Sequence, residues 1–202
     1  DVYKRQEQDP ERIVFVPAMG WQDYNYIKYA RVAEEDPNAV VSFHYYLPML
    51  LSHYKMLAWV GYQGAVQYPG VVIPTQSDAD KYPQYASFHK TTYNADRIMG
   101  EMSNAASDGR NAGLAVHCGE FGCSKNVAEA MRLAWFTDMV AAMEANNIPW
   151  TLWECLDGGF GFVDMEYGIY RINCPLLKVL TGKELTDAEA KALLQKYGFK
   201  TE

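Results

Sequence analysis

The chain has 202 residues, 49% of them hydrophobic, so it can bury the core of one ordinary domain, which argues against disorder. Its formal net charge of −7, with no basic block, argues against binding a nucleic-acid backbone. No apolar run approaches the roughly 18 residues that a membrane span needs, and no basic-then-apolar N-terminus reads as a signal peptide. The five Trp, fifteen Tyr and eight Phe exceed what a core of this size needs, which points to a ligand surface.

In chain order, Asp1–Gln6 fit nothing that follows and look like a translated sequencing-adapter tail, so residues 1–10 are expected to be a non-native or disordered leader. Ile13-Val14-Phe15-Val16 is a β-branched run closed by Pro17 and reads as a buried strand. Residues 23–35 suit a helix that ends before the turn Asp36-Pro37-Asn38. Ala39–Phe43 is a second strand, ending at His44-Tyr45-Tyr46. The stretch from Leu47 to about Tyr82 carries Gly61, Gly64, Pro69, Gly70 and Pro74 among Trp59, Tyr62 and Tyr68. A connection of that length inside a compact domain is usually functional. Residues 84–107 return to a helical pattern, stopped by Asp108-Gly109-Arg110-Asn111.

Leu114-Ala115-Val116 is a third strand, delivering His117, Gly119 and Glu120 at its end. Residues 126–145 give the clearest helix, with Val127, Ala130, Met131, Ala134, Trp135, Met139 and Ala142 at helical spacing. Ile148–Trp153 is a fourth strand, followed by Glu154 and the turn Gly158-Gly159. A short helix lies near Pro175–Leu180, and Thr186 with Glu189 makes a capping box for a last one. Strands alternating with helices imply a parallel α/β sheet. No Gly-rich phosphate loop follows any strand. Polar and aromatic residues gather instead after the strand C-termini, where a TIM barrel keeps its chemistry.

Cys118 and Cys123 flank His117 and Glu120, which invites a metal site, but Cys155 and Cys174 are too far apart to complete one. All four cysteines are expected to be free, buried and small. Three constellations carry chemistry. Glu120 sits between glycines in His117-Cys118-Gly119-Glu120-Phe121-Gly122, which gives its carboxylate room; the alternative is a solvated loop glutamate. His44 and Tyr46 share one side of an extended segment and can fix a neighbouring carboxylate, or else pack in a core. Trp153, at the end of Trp150-Thr151-Leu152-Trp153, can form the floor of a sugar site, whereas Trp150 suits the core.

In their order along the chain, Ser42-Phe43-His44-Tyr45-Tyr46, Gly119-Glu120-Phe121-Gly122 and Trp150-Thr151-Leu152-Trp153 resemble the C-terminal half of glycoside hydrolase family 5, the cellulase and mannanase family. Arg12 to Trp21 looks like that family's fifth strand and loop. The resemblance implies half of a TIM (β/α)8 barrel, strands five to eight with their helices, over residues 11–181, with 182–202 as a C-terminal helical extension. It implies a retaining mechanism that needs no cofactor or metal, two carboxyl groups lying about 5 to 5.5 Å apart. By motif, Glu120 corresponds to the nucleophile, His44 and Tyr46 to the pair that orients it, and Trp153 to the platform at the cleaved sugar. Trp21, Trp59, Tyr62, Tyr68, Phe160 and Phe162 lie in loops that should border the cleft, either stacking on further sugars or packing beneath the loops.

The family's general acid is the Glu of an Asn-Glu pair, a dipeptide this chain does not contain. Glu154, Asp157 and Asp164 are the nearest carboxylates, and they fit loop or sugar-contact roles better. The expectation is therefore a truncated reading frame, inactive alone, from a secreted or cell-surface endo-β-glycanase acting on β-linked glucan or mannan. The competing readings are a non-catalytic, oligosaccharide-binding half barrel that self-associates through its strand edges, and an α/β domain of unrelated role.

Overall fold

A computed structural model describes residues 7–31, 36–56, 61–156 and 158–202. Trp59 and Asp157 lie outside the described residues, as do the leader residues 1–6. The chain divides into two compact units, residues 1–45, 99–121 and 142–151 in the first and 46–98, 122–141 and 152–202 in the second.

The four anticipated strands form one sheet. β1 (Val14–Pro17), β2 (Ala39–Tyr45), β5 (Ala115–Phe121) and β6 (Trp150–Leu152) lie in the order β1-β2-β5-β6. β1 pairs with β2 and β2 with β5 in parallel, Val14 facing Ala39 and Val40 facing Ala115. Side chains alternate across the sheet, so Val41, Phe43 and Tyr45 are buried on one face while Val40 and His44 look to the other. The buried face is completed by Met102 and Ala105 of α3 (Ala95–Asn111) and by Ala142 and Met143. Gly109 lets α3 lie directly on β5, since a Cβ there would fall 2.0 Å from Val116 Cγ2. Ile13, Phe15, Val40, Ala115 and His117 line a concavity of about 610 Å3 on the other face.

Two predicted helices come out differently. The 23–35 segment forms a 3-10 helix over Tyr24–Tyr29, opened by the Asp23 carboxylate accepting from Asn25 N–H; residues 32–35 lie outside the described residues. Tyrosines and an asparagine give the segment little propensity for a longer α-helix. The 84–107 helix is interrupted: a 3-10 helix spans Pro83–Lys90, β4 (Thr92–Tyr93) follows, and α3 begins only after Asn94. Thr92 and Tyr93 favour an extended backbone, and the Asn94 side chain caps α3 by accepting from Arg97 N–H at 3.0 Å.

In the second unit, residues 47–56 and 61–82 are folded. They hold α1 (Met49–Ser52), β3 (Gly70–Val71), which pairs antiparallel with β4, and α2 (Gln76–Lys81), with Leu50, Leu51, Val72 and Ile73 buried. The predicted helix 126–145 forms as α4 (Glu129–Ala145), whose Trp135 indole donates to the Leu47 carbonyl at 3.0 Å. An unanticipated hairpin pairs β7 (Val163–Glu166) with β8 (Ile169–Ile172). Its turn residues, Tyr167 and Gly168, both have positive φ, as a two-residue hairpin turn requires. α5 (Cys174–Thr181) stops at Gly182 in the left-handed region, and α6 (Asp187–Lys196) starts with both hydrogen bonds of the expected Thr186–Glu189 capping box.

Candidate active site

β2 and β5 end side by side, and the register between them slips by one residue. Phe43 faces Cys118, but His44 faces Glu120, so Gly119 is the unpaired residue of a β-bulge. The bulge sets Glu120 opposite His44, with 3.4 Å between His44 Nδ1 and the nearer Glu120 carboxylate oxygen. Both side chains are mostly but not fully buried, so the carboxylate reaches solvent. A parallel bridge from Asp23 to His44 continues the sheet beyond β1.

Burial pushes His44 below its ordinary value of 6.5, and the Glu120 charge pulls it only partly back, so the ring is neutral at neutral pH. Its proton is assigned to Nδ1, because a bare nitrogen facing a carboxylate would be repelled. The outcome is a neutral donor beside the Glu120 carboxyl group. The Cys118 thiol, raised far above its usual range by burial, donates to the Glu120 carbonyl at 3.3 Å. Cys123 is likewise buried and pushed up to about 12. Cys155 is exposed and Cys174 half-buried, which corrects the expectation that all four cysteines are buried. Among the described residues, no cluster of three His, Cys, Asp or Glu could hold a metal.

In the same unit Trp21 is 98% exposed and sits with Gly20 and Gln22 in a run of three left-handed residues. Such backbone costs roughly 1–2 kcal/mol per non-glycine residue, so presenting this indole to solvent is not a default of the chain. His117 is held by Phe15 edge-on and by Thr151 at 3.2 Å from Nε2. Its Nδ1 is sealed from solvent with no partner among the described residues.

In the other unit Trp153 is 46% exposed. Tyr46, His53 and Phe160 form an aromatic cluster with ring centroids 4.9 to 5.8 Å apart. Three expectations are corrected here. Phe160 is buried in that cluster, and Tyr62 and Tyr68 are each 2% exposed. Tyr62 donates to the Ala65 carbonyl at 2.6 Å, and Tyr68 to Asp138 at 2.6 Å. With both faces packed these rings are core, and burial raises both hydroxyls far above their usual range. Phe162 is half-buried. Of the neighbouring carboxylates, Asp164 pairs with Lys125 at 2.9 Å, whereas Glu154 packs against Gly158 with its Oε1 buried and without a hydrogen-bond partner among the described residues.

Three of the four histidines, His44, His53 and His117, are lowered chiefly by burial. The unfolded chain therefore takes up their protons first as pH falls. Their contribution is fully present above the unfolded value of 6.5 and is lost as pH drops through the lowered values. The urea midpoint should be level near pH 7 to 8 and fall as the pH drops below about 6.5. A midpoint unchanged down to about pH 5 would contradict this assignment.

With this geometry in place, known proteins give it a context. The family model for cellulase (glycosyl hydrolase family 5) matches residues 5–159. The chain belongs to glycosyl hydrolase family 5. Among curated family 5 relatives, endoglucanase C of Acetivibrio thermocellus is 22% identical over 143 residues, covering 67% of this chain and 39% of that protein. A hyperthermophilic endo-β-1,4-glucanase solved in complex with substrate superposes with a TM-score of 0.67 at 21% identity, covering 90% of this chain and 51% of the other. Thermotoga maritima Cel5A, solved in complex with mannotriose, gives a TM-score of 0.63 at 18% identity over 89% of this chain and 51% of that one. The fold is thus that of the family 5 α/β barrels over the matched stretch. The chain spans about half the length of these solved structures and less of the curated relative.

Proposed function

We propose that the chain is the nucleophile-bearing half of a retaining endo-β-glycanase barrel, holding strands five to eight. The observation that carries this is a carboxylate, Glu120, set by a bulge at the C-terminal end of β5 and faced by the neutral donor His44. That end of the strands is where barrels place their chemistry. The parallel sheet β1-β2-β5, the family match and the half-length coverage of solved barrels support the half-barrel reading.

In this reading a Glu120 carboxylate oxygen bonds to the anomeric carbon while the leaving oxygen departs with the bonding pair and takes a proton. His44 holds the nucleophile's rotamer without neutralising it. Trp21, exposed in the same unit, offers a stacking surface for a sugar, and the family resemblance gives a stacking role to Trp153 and an orienting role to Tyr46. The substrate is a β-linked glucan, in keeping with the endo-β-1,4-glucanase among the structural neighbours, and mannan is the second candidate. A polymer of that kind is met outside the cell, so the reading carries a secreted or surface location with it.

The proton donor belongs to an Asn-Glu pair that these 202 residues do not contain. The chain by itself should therefore not depolymerise glucan. An activated leaving group needs no proton, which separates the two halves of the chemistry. With 2,4-dinitrophenyl β-cellobioside the chain should release about one equivalent of dinitrophenolate and stall as the glycosyl-enzyme, and azide should restart turnover and yield a β-glycosyl azide. Bound cellobioside without any release above the buffer rate, or steady turnover of glucan by the chain alone, would contradict the reading.

A further inference from the structure

The bulge that brings Glu120 to His44 depends on a close approach between two residues outside the motif's ionisable groups. Gly119 is not in the left-handed region, so glycine is required there for room and not for its torsion angles. A Cβ on Gly119 would lie 2.5 Å from Ser42 Oγ, inside any tolerable contact, whereas the His44 ring atoms at 3.6 and 3.7 Å would be ordinary neighbours. Ser42 is buried on the face of β2 that carries His44, two residues on. Its backbone is not free to retreat, because the Ser42 carbonyl accepts from Ala18 N–H at 2.8 Å. On the far side the bulge is tied by the Cys118 thiol to the Glu120 carbonyl.

We propose that Gly119 and Ser42 are paired positioning residues: the missing Cβ of one leaves the room that the hydroxyl of the other fills, and this steric fit holds the bulge that turns Glu120 onto His44. The inference rests on Glu120 being the nucleophile for its catalytic consequence, but not for its geometry.

The test reads the imidazole titration of His44 by NMR alongside covalent labelling of the chain by 2,4-dinitrophenyl 2-deoxy-2-fluoro-β-cellobioside. The Glu120 charge holds the His44 pKa up against burial, so a displaced Glu120 lets it fall further. Gly119→Ala should move the His44 titration to lower pH and slow labelling about tenfold or more. Adding Ser42→Ala, which removes the atom found 2.5 Å from the new methyl, should return both to the wild-type values. Should Gly119→Ala alone not fold, the double variant must fold and titrate as the wild type does. A Gly119→Ala protein with an unshifted His44, or a double variant that stays shifted or unfolded, would overturn the proposal. The titration needs no substrate. A wild-type chain that does not label, in a series whose titrations shift and recover as described, would therefore remove the nucleophile reading and leave the positioning pair standing.

Discussion

Glu120→Gln should abolish the dinitrophenolate burst, slowing it by about a thousandfold or more, because the step that forms the glycosyl-enzyme loses its nucleophile. Gln keeps the shape and an acceptor for His44 Nδ1–H, so the fold and the urea midpoint should stay close to the wild type. His44→Ala should cost less, since His44 orients the carboxylate without supplying electrons. It removes a neutral donor 3.4 Å from a carboxylate that can still attack. Stopped-flow measurement of the burst rate and amplitude in the three proteins checks this order. A Glu120→Gln chain with a near-normal burst would refute the assignment.

The largest stability effect is expected at Arg132, twelve residues beyond Glu120. Its guanidinium is 4% exposed, donates to the carbonyls of Cys123, Phe160 and Gly161, and lies over the Phe136 ring. One side chain thus ties the start of the segment after β5 to the glycine-rich turn after β6. Arg132→Met would fill similar volume and leave three carbonyls without their donor. Unsatisfied buried acceptors cost about 1–3 kcal/mol each, partly offset by no longer burying a charge, for a net loss of about 3 kcal/mol. Arg132→Lys should recover little, because a single ammonium cannot reach three acceptors held in a fork. Urea unfolding of the three proteins measures it, and an Arg132→Met protein within about 0.5 kcal/mol of the wild type would contradict the account.

Residues whose role is set locally were legible in the sequence. Runs such as Ala39-Val40-Val41-Ser42-Phe43 announce buried parallel strands, and β2 starts where that run does. The regular apolar spacing from Val127 to Ala142 foretold α4, and Thr186 with Glu189 foretold the cap of α6. The pairing of His44 with Glu120 was legible because both close a strand, and neighbouring parallel strands end together. What stayed hidden depends on partners distant in sequence. Tyr62 and Tyr68 look like exposed loop aromatics until Ala65 and Asp138 take their hydroxyls. A one-residue slip at Gly119 leaves no trace in a hydrophobic pattern, because it changes which residue faces which and not the residue types. The β7–β8 hairpin did carry a signal, a glycine after Tyr167 between two short apolar-containing runs, but the surrounding glycines made the whole region look like loop.

Glu120 is the residue proposed to form the covalent bond to sugar. The direct measurement is to incubate the chain with 2,4-dinitrophenyl 2-deoxy-2-fluoro-β-cellobioside, digest it, and locate the added cellobiosyl mass by tandem mass spectrometry. A single modified residue is expected, Glu120, with the label blocked by an excess of cellotriose and absent from Glu120→Gln. Label on Glu154 or Asp164, or none on a chain that binds cellotriose, would contradict it.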